Sequence, residues 1–311
     1  MRKCRLSPFR SILLVAAAAA CSSNPAASDA GNSDASIAPP PDAGTLDASN
    51  DAGAYDPVAC AAWFSSVDAS IPAPGGPGPG QRKALVDAHG GIRKELGKYI
   101  ATWIPQGWET NEKRILMVAL HGTGGYPEAE WNGWHSFLEP KGWGFIGVSY
   151  LSGDAYDDAT TTWKRVRAAL SDMNQACGAK LTVHLSGFSR GSAQTFPVTM
   201  LDRKDNGPIN GSISHSGAWV IGGPLVPELQ AVDGDAASMR GVRIWGWAGT
   251  ADHTHGTAMT DEMTNALDWV KAHGGTTAPL YVSQGLDHGD FLKDPAAVAA
   301  ALAWLDTLEP R

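Results

Sequence analysis

Basic residues are scarce once the first ten positions are set aside. The 311-residue chain has 24 Lys and Arg residues against 32 Asp and Glu residues, for a net charge of −8. Four of the basic residues lie within the first ten positions, which leaves 20 against 32 and a net charge of −12 for the rest. A chain this acidic lacks the positive charge that holds polyphosphate, so we expect no nucleic-acid partner.

Long hydrophobic runs are also missing after the N-terminal segment. Beyond the first twenty residues, no stretch stays apolar over the roughly 18 residues that a membrane span needs. The composition, 43% hydrophobic and 18% charged, excludes a coiled coil, a collagen and a wholly disordered chain. We therefore expect one sizeable globular domain with an appendage.

The N-terminus has the layout of a secretory signal. Basic residues precede an apolar run from Ile12 to Ala20, and Cys21 follows. The segment Ala18-Ala19-Ala20-Cys21 resembles the lipobox of bacterial lipoproteins, which implies lipidation of Cys21. We expect an exported lipoprotein, in the periplasm or at the cell surface, held to the membrane only by that lipid. Because Ala18 replaces the usual Leu, soluble secretion and a retained membrane anchor stay open as alternatives.

Composition divides the chain into three parts. Residues 1–20 form the predicted signal peptide. Residues 21–57 are rich in Ala, Ser, Asp and Pro, with six Asp residues and no Lys or Arg, which predicts a disordered linker. Residues 58–311 form the predicted globular domain.

Only two cysteines, Cys60 and Cys177, remain outside the first 21 residues. Export permits a disulfide between them, and a bridge closing so long a loop would stabilise the fold by about 4 to 5 kcal/mol. Alternatively, Cys177 is a buried thiol on the apolar stripe of a predicted helix.

Strands and helices alternate along the main body. Short apolar runs predict strands at Ile115 to Leu120, Gly144 to Tyr150, Leu181 to Leu185, Ile213 to Trp219, Val242 to Trp247 and Leu280 to Val282. Helical spacing predicts helices over Asp158 to Cys177 and Pro295 to Leu308. This alternation predicts an α/β fold, with a mostly parallel central sheet covered by helices on both faces.

A serine motif follows one of these strands. Gly187-Phe188-Ser189-Arg190-Gly191 lies between the Leu181 to Leu185 strand and a helical segment. The two glycines allow a sharp turn that exposes the Ser189 hydroxyl, and a helix N-terminus favours developing negative charge. We interpret Ser189 as a nucleophile; the alternative is a glycine-rich turn with an incidental serine.

From Lys94 to Leu308 the chain resembles the α/β-hydrolase superfamily. That resemblance implies that the catalytic acid and then the histidine follow the nucleophile at the ends of later strands. Asp252, just after the Val242 to Trp247 strand, and His288, in the loop before the last helix, match this order. Ser189, His288 and Asp252 are thus the expected catalytic triad. More loosely, the chain is similar to secreted feruloyl esterases and polyhydroxybutyrate depolymerase-like enzymes.

Other residues compete for these roles. Asp287 and Asp290 adjoin His288 but are poorly placed to orient it, and His253 and His255 lie on the Asp252 loop. Together with His288 and a carboxylate, these two histidines would suit Zn²⁺. Because Ser189 explains the neighbourhood without a metal, we expect neither a metal nor another cofactor.

The resemblance also implies an oxyanion hole. His121-Gly122-Thr123-Gly124-Gly125 follows the first strand of the series and resembles the His-Gly loop of the superfamily. By this comparison, the backbone N–H groups of Thr123 and Arg190 would stabilise the tetrahedral intermediate. The alternative is a flexible glycine-rich loop; a phosphate-binding loop is excluded because no Lys follows at the required position.

Tryptophans near these motifs are candidates for lining a substrate cleft. They are Trp131, Trp134, Trp219 and Trp247. Aromatic walls suit aryl, acyl or sugar faces, although core packing is the alternative for each of these tryptophans.

Two residues near Ser189 depart from the pattern of the α/β-hydrolase superfamily. Pro197 is expected to kink or shorten the helix after Ser189, and Arg190 either pairs with an acidic neighbour or favours an acidic substrate.

The sequence therefore predicts an exported serine hydrolase that acts on carboxylic esters of small molecules or polymers. Acyl transfer by a serine peptidase uses the same groups, so this activity remains an alternative. A non-catalytic, surface-binding lipoprotein that retains the hydrolase scaffold is the other.

Overall fold

The computed structural model describes residues 55–108, 113–152, 155–178, 181–218, 227–232, 234–254 and 256–310. The predicted signal peptide, Cys21, the linker up to residue 54, Trp219 and His255 lie outside the described residues. In the part of the chain that is described, no helix is both long and apolar enough to cross a bilayer.

A central sheet organises the domain. Its strands are β1 (Gly91–Glu95), β2 (Lys98–Trp103), β3 (Ile115–Leu120), β4 (Gly144–Val148), β7 (Thr182–Phe188), β8 (Ile209–His215), β9 (Arg243–Gly249), β10 (Thr276–Thr277) and β11 (Tyr281–Ser283), while β5 (Leu151–Ser152) and β6 (Ala155–Tyr156) form a separate hairpin. Their spatial order is β1-β2-β4-β3-β7-β8-β9-β10, and β11 also pairs with β9. Pairs β1–β2 and β2–β4 are antiparallel, and the other pairs of this sheet are parallel. The predicted mostly parallel sheet is confirmed.

Helices cover both faces of this sheet. They are α1 (Pro57–Ser65), α2 (Gly78–Asp87), α3 (Pro127–Leu138), α4 (Ala159–Cys177), α5 (Arg190–Lys204), α6 (Pro227–Gln230), α7 (Met259–Ala272) and α8 (Pro295–Asp306). Because side chains alternate along a strand, Val118 and Ile244 pack toward α1, α4, α5 and α7, whereas Met117 and Trp245 pack toward α2, α3 and α8. Hydrophobic clusters thus pack against both faces of the sheet.

Local sequence determines where helix α4 begins and ends. Asp158 caps its N-terminus by accepting the Thr161 N–H at 2.6 Å, and Gly178 ends it in the left-handed conformation with φ 60°. Its buried face includes Val166 and Met173. The predicted bounds of this helix are confirmed.

The two cysteines form a disulfide. Cys60 on α1 is bonded to Cys177 at the end of α4, and both side chains are fully buried. The bridge ties α1, which begins within one residue of the predicted domain boundary, to the body of the domain.

Strand β8 and helix α5 differ from the sequence-based expectations. Strand β8 was expected at Ile213 to Trp219 but ends at His215, because Ser216 adopts a positive φ of 59° that breaks the extended backbone. Helix α5 is not shortened by Pro197 and runs on to Lys204. Because every residue from Gly191 to Met200 is buried, tertiary packing outweighs the one hydrogen bond that Pro197 removes.

Candidate active site

Ser189 occupies a strained turn between β7 and α5. Its backbone angles are φ 52° and ψ −114°, a conformation that costs a non-glycine residue about 1 to 3 kcal/mol. The Ser189 N–H donates to the carbonyl of His215 on the neighbouring strand at 3.0 Å, which fixes the turn. A β-carbon on Gly187 would overlap the Gly191 carbonyl, and one on Gly191 would overlap the Leu120 carbonyl. The two flanking glycines therefore allow strand, helix and the end of β3 to approach this closely.

The structure brings the three expected catalytic residues together. The Ser189 Oγ lies 2.8 Å from Nε2 of His288, and Nδ1 of His288 lies 2.9 Å from Oδ2 of Asp252. Asp252 is completely buried, whereas Ser189 is partly accessible. The second carboxylate oxygen of Asp252 accepts hydrogen bonds from the Thr254 N–H at 3.1 Å and the Thr254 hydroxyl at 2.8 Å. Thr254 thus fixes the carboxylate plane.

The competing residues have other partners. Asp287 accepts the backbone N–H of His288 at 2.7 Å, and Asp290 accepts that of Asp287 at 2.9 Å, so both shape the histidine loop. His253 is exposed and contacts the Ala251 carbonyl through Nδ1. Both ring nitrogens of His288 are engaged by Ser189 and Asp252, which leaves none to bind a metal. The described residues contain no cluster of metal-ligating side chains.

The His-Gly loop lies directly against the nucleophile. A β-carbon on Gly122 would come within 3.1 Å of the Ser189 β-carbon, so this loop reaches the serine and Thr123 follows at its exposed tip. Arg190 is the first residue of α5, where N–H groups point out of the helix N-terminus. Thr123 and Arg190, whose N–H groups the sequence singled out, thus belong to the two segments that adjoin Ser189.

Buried aromatic groups hold this loop. The His121 ring stacks on Tyr150 with a centroid distance of 4.6 Å, and the Tyr150 hydroxyl donates to the His121 carbonyl. Burial lowers the pKa of His121 to about 4, so the ring is neutral near pH 7. His121 therefore has a structural position. Tyr150, for which no sequence motif provided a signal, supports it.

The tryptophan expectation is wrong for three of the four residues. Trp134 and Trp247 are completely buried and Trp131 is only 2% exposed, so all three pack in the core beneath α2, α3 and α8. The Trp247 indole donates to the Ser283 hydroxyl at 2.7 Å. These tryptophans are close to the motifs in sequence because α3 and β9, which carry them, extend from the core to the loops of the site. Trp219 lies outside the described residues.

Two aromatic neighbours of the triad were not anticipated. Phe188, the residue before the nucleophile, lies between the rings of His215 and His288, with centroid distances of 5.5 Å and 5.4 Å. Phe291, shortly after His288, contacts His215 at 4.4 Å. Only the position of Phe188 within the serine motif provided a signal for either residue.

Solved structures show the same fold. The chain is similar to an esterase of the fungus Rhizomucor miehei (TM-score 0.54, 15% identity, 70% of this chain and 82% of that one). It is also similar to Thermogutta terrifontis esterase 2 (TM-score 0.54, 14% identity, 71% and 96%) and to an esterase of Pyrobaculum calidifontis (0.52, 12%, 70% and 82%). No protein-family model and no curated protein matches the chain. Together with the sheet order, these similarities define an α/β-hydrolase fold.

Proposed function

We propose that the protein is a serine hydrolase that cleaves carboxylic esters through an acyl-enzyme. The observation that carries this proposal is the continuous hydrogen-bonded chain from Ser189 through His288 to the buried Asp252. A hydroxyl is a weak nucleophile at neutral pH, and an oriented imidazole is what activates it.

The reaction follows from this arrangement. As the Ser189 oxygen bonds to the ester carbonyl carbon, its proton moves to Nε2 of His288. The N–H groups of Thr123 and Arg190 stabilise the oxyanion. When the C–O bond to the alcohol breaks, His288 gives its proton to the leaving oxygen. Water then attacks the acyl-serine by the same route, which releases the acid and returns the proton to Ser189. Asp252 fixes the tautomer of His288 and stabilises its cation.

The similar structures support an ester substrate. One of them is Thermogutta terrifontis esterase 2 phosphorylated by paraoxon (TM-score 0.53, 16% identity). By analogy, we expect organophosphorus reagents to modify Ser189 of this chain. The hydrogen-bonded Ser189, His288 and Asp252, together with these esterase structures, favour hydrolysis of an ester over other acyl-transfer reactions.

We also propose that the protein is exported and lipidated on Cys21, with no other attachment to the membrane. The Cys60–Cys177 disulfide supports export, because structural disulfides persist mainly outside the reducing cytosol. Replacement of Cys21 by Ala is expected to move the protein from the membrane fraction to the soluble fraction and to abolish labelling by radioactive palmitate. A protein that stays unlabelled and soluble in both forms would contradict lipidation.

The enzymatic proposal is tested with short p-nitrophenyl esters and a fluorophosphonate probe. Ser189→Ala and His288→Ala are expected to lower kcat/KM by at least about 10³-fold, and Asp252→Asn by about 10³- to 10⁴-fold. Ser70→Ala, at an exposed hydroxyl, is the control and should behave like the wild type. Turnover of peptides alone would indicate a peptidase. If neither ester nor probe reacts with the folded protein, the enzymatic proposal fails in favour of a binding protein.

A further inference from the structure

A cavity lies beside residues that are adjacent in sequence to the triad. It encloses about 220 Å³ beside the histidine loop. Its walls come from the first turn of α3, the ends of β7 and β8 and the loop after His288, through Glu130, Phe188, His215, Gly289, Phe291 and Leu292. Two lining residues are sequence neighbours of the triad, because Phe188 precedes Ser189 and Gly289 follows His288.

One polar group in this cavity is the carboxyl of Glu130. The residue is only 7% exposed, and within the described part of the chain no side chain or backbone N–H bonds to the carboxyl. Burial raises its pKa to about 8, so the group is mainly the neutral acid at pH 7. Because none of the described protein groups occupies it, this carboxyl is available to form a hydrogen bond with a molecule in the cavity.

The other polar group is the imidazole of His215. It is 2% exposed, and among the described residues neither ring nitrogen has a hydrogen-bond partner. Burial, followed by the nearby His288, lowers its pKa to about 3, so this ring is also neutral. The apolar walls thus surround two uncharged groups that can donate and accept hydrogen bonds.

We propose that this cavity is the subsite for the alcohol part of the ester, that it takes an uncharged six-membered ring carrying a hydroxyl, and that Glu130 recognises that hydroxyl. The proposal rests on the proposed esterase activity. Glu130 acts here as a specificity-determining residue. The proton transfers at Ser189 and His288 do not involve it.

The size of the cavity favours a single ring. An engineered apolar cavity of about 150 Å³ binds benzene in another protein, so about 220 Å³ accommodates one ring with a substituent. Phe188 and Phe291 offer aromatic faces to such a ring.

Charge argues for a neutral ligand. Among the described residues that line the cavity there is no Lys or Arg, so these residues would offer a bound anion no counter-ion. A cation would lie beside His288, which itself becomes positive in the transition state, and like charges at this distance raise the barrier. Only an uncharged group avoids both costs.

Position argues for the alcohol side. His288 donates its proton to the leaving oxygen, so the group attached to that oxygen lies next to the histidine. Gly289, Phe291 and Leu292 belong to the same loop and continue the surface of the cavity from that point.

The test compares acetate esters of phenol and of 3- and 4-hydroxyphenol in wild type, Glu130→Leu and Glu130→Gln. The measured quantity is the ratio of kcat/KM for a hydroxyphenyl ester to that for phenyl acetate, which cancels the general effects of each variant. For the better isomer, this ratio is expected to fall about 3- to 10-fold in Glu130→Leu and to stay within about twofold in Glu130→Gln, whose amide still forms hydrogen bonds. Thermal unfolding confirms that each variant is folded.

Glu139→Leu is the matched control, because Glu139 ends the same helix region but does not line the cavity. Its ratio should equal that of the wild type. A pH series adds a second readout with methoxyphenyl acetate, whose ether oxygen only accepts hydrogen bonds. Its advantage over phenyl acetate should disappear above about pH 8 in wild type, as Glu130 loses its proton, and persist in Glu130→Gln.

Several results would overturn the proposal. An equal ratio in wild type and Glu130→Leu would remove the role of Glu130 while leaving a Ser189-dependent esterase intact. A Glu130-dependent preference for an ester of a trimethylammonium phenol would indicate a cation subsite instead. A Glu130 effect confined to methyl hydroxybenzoates would assign the cavity to the acyl side. If the wild type cleaves none of these esters and Ser189→Ala changes nothing, the esterase function itself fails.

Discussion

At the scale of single residues, the geometry around Ser189 depends on glycines that allow neighbouring backbone segments to approach one another closely. Four glycines at or near this serine have no room for a β-carbon: Gly122, Gly187, Gly191 and Gly217. A β-carbon on Gly217 would overlap the Ser189 carbonyl. The strained turn persists because three neighbouring segments pack around it without side chains between them.

Gly122→Ala tests this close packing at the His-Gly loop. The new β-carbon would lie 2.7 Å from the Phe188 ring and 3.1 Å from the Ser189 β-carbon, so the loop must shift. We expect kcat/KM for p-nitrophenyl acetate to fall about 10- to 100-fold, because a small displacement of the Thr123 N–H weakens oxyanion stabilisation. Gly80→Ala, whose β-carbon meets nothing within 4 Å, is the control. Unchanged activity in Gly122→Ala would show that this loop does not take part.

Residue roles were predictable only where a motif marked them. Gly187 and Gly191 marked Ser189 as a candidate nucleophile. The resemblance to α/β-hydrolases, together with its position after a strand, marked Asp252 as the candidate acid. Glu130 and His215 carried no signal, because their importance comes from being buried beside a cavity whose walls belong to four separate segments. The indoles were misassigned because nearness in sequence does not specify which face of an element a side chain occupies.

At the scale of elements, the N-terminus of α8 is linked to the strand that leads to the acid loop. Asp294 caps α8 by accepting the N–H groups of Ala296 and Ala297, both at 3.1 Å. Its other oxygen accepts the Ser283 hydroxyl at 2.5 Å, and Ser283 in turn accepts the Trp247 indole N–H. One carboxylate thus connects α8, β11 and β9.

Asp294→Ala is therefore expected to destabilise the protein more than loss of an ordinary cap. Removal of a helix cap costs about 1 kcal/mol, and the buried Ser283 hydroxyl and Trp247 N–H would lose part of their network as well. We expect a loss of about 2 to 3 kcal/mol in the free energy of unfolding, measured by urea denaturation. Asp158→Ala, which removes the single capping bond of α4, is the matched comparison. Equal losses in the two variants would contradict the linked network.

Elements were predictable from sequence where hydropathy and caps agreed. The bounds of helix α4 and strand β3 were predicted correctly, whereas β8 was predicted too far along the chain, toward Trp219. The buried face of β8 carries Ser212 and Ser214, which bond to Thr199 and Ser192 of α5, and hydropathy assigns such residues to loops. Helix α7 was overlooked, although Met259, Met263, Ala266, Leu267 and Val270 repeat at helical spacing.

At the scale of the whole molecule, the disulfide closes a loop of 117 residues between α1 and α4. A loop of this length corresponds to about 4 to 5 kcal/mol of stabilisation in the chain-entropy model. We expect the Cys60→Ala/Cys177→Ala variant to lose most of this free energy of unfolding in urea while it keeps ester turnover at 25 °C. A reducing agent should destabilise the wild type and leave the variant unchanged. Equal stability of the two proteins would show that the bridge contributes little.

Buried histidines make the molecule sensitive to acid. Burial lowers the pKa of His121 and His184 to about 4 and that of His215 to about 3, whereas an unfolded chain protonates histidine near 6.5. Below pH 6.5 the unfolded state thus binds more protons, so stability falls as the pH falls, by about 1.4 kcal/mol per pH unit for each group. The carboxyls of Glu130 and Asp202, whose pKa values burial raises, oppose this trend in part.

The measurement is the urea midpoint between pH 7 and pH 4.5. We expect a steady decrease in wild type and a shallower one in His184→Gln, which removes one buried imidazole far from the triad. His253→Gln, at an exposed imidazole, serves as the control. A midpoint that stays constant over this range would refute neutral burial of the three rings.

Features that depend on neighbours along the chain could be predicted from the amino-acid sequence alone. These are the alternation of strands and helices, the turn that carries Ser189, the caps of α4 and the order in which serine, acid and histidine occur. Periodicity and capping act over a few residues, so they can be read from the sequence directly.

The contacts between segments that are distant in sequence depend on the tertiary structure. His288 reaches Ser189 across 99 positions and Asp252 across 36. The disulfide, the burial of the tryptophans and the cavity around Glu130 likewise depend on which strands lie side by side. That order is set by how the whole chain buries its apolar faces, and no local pattern encodes it.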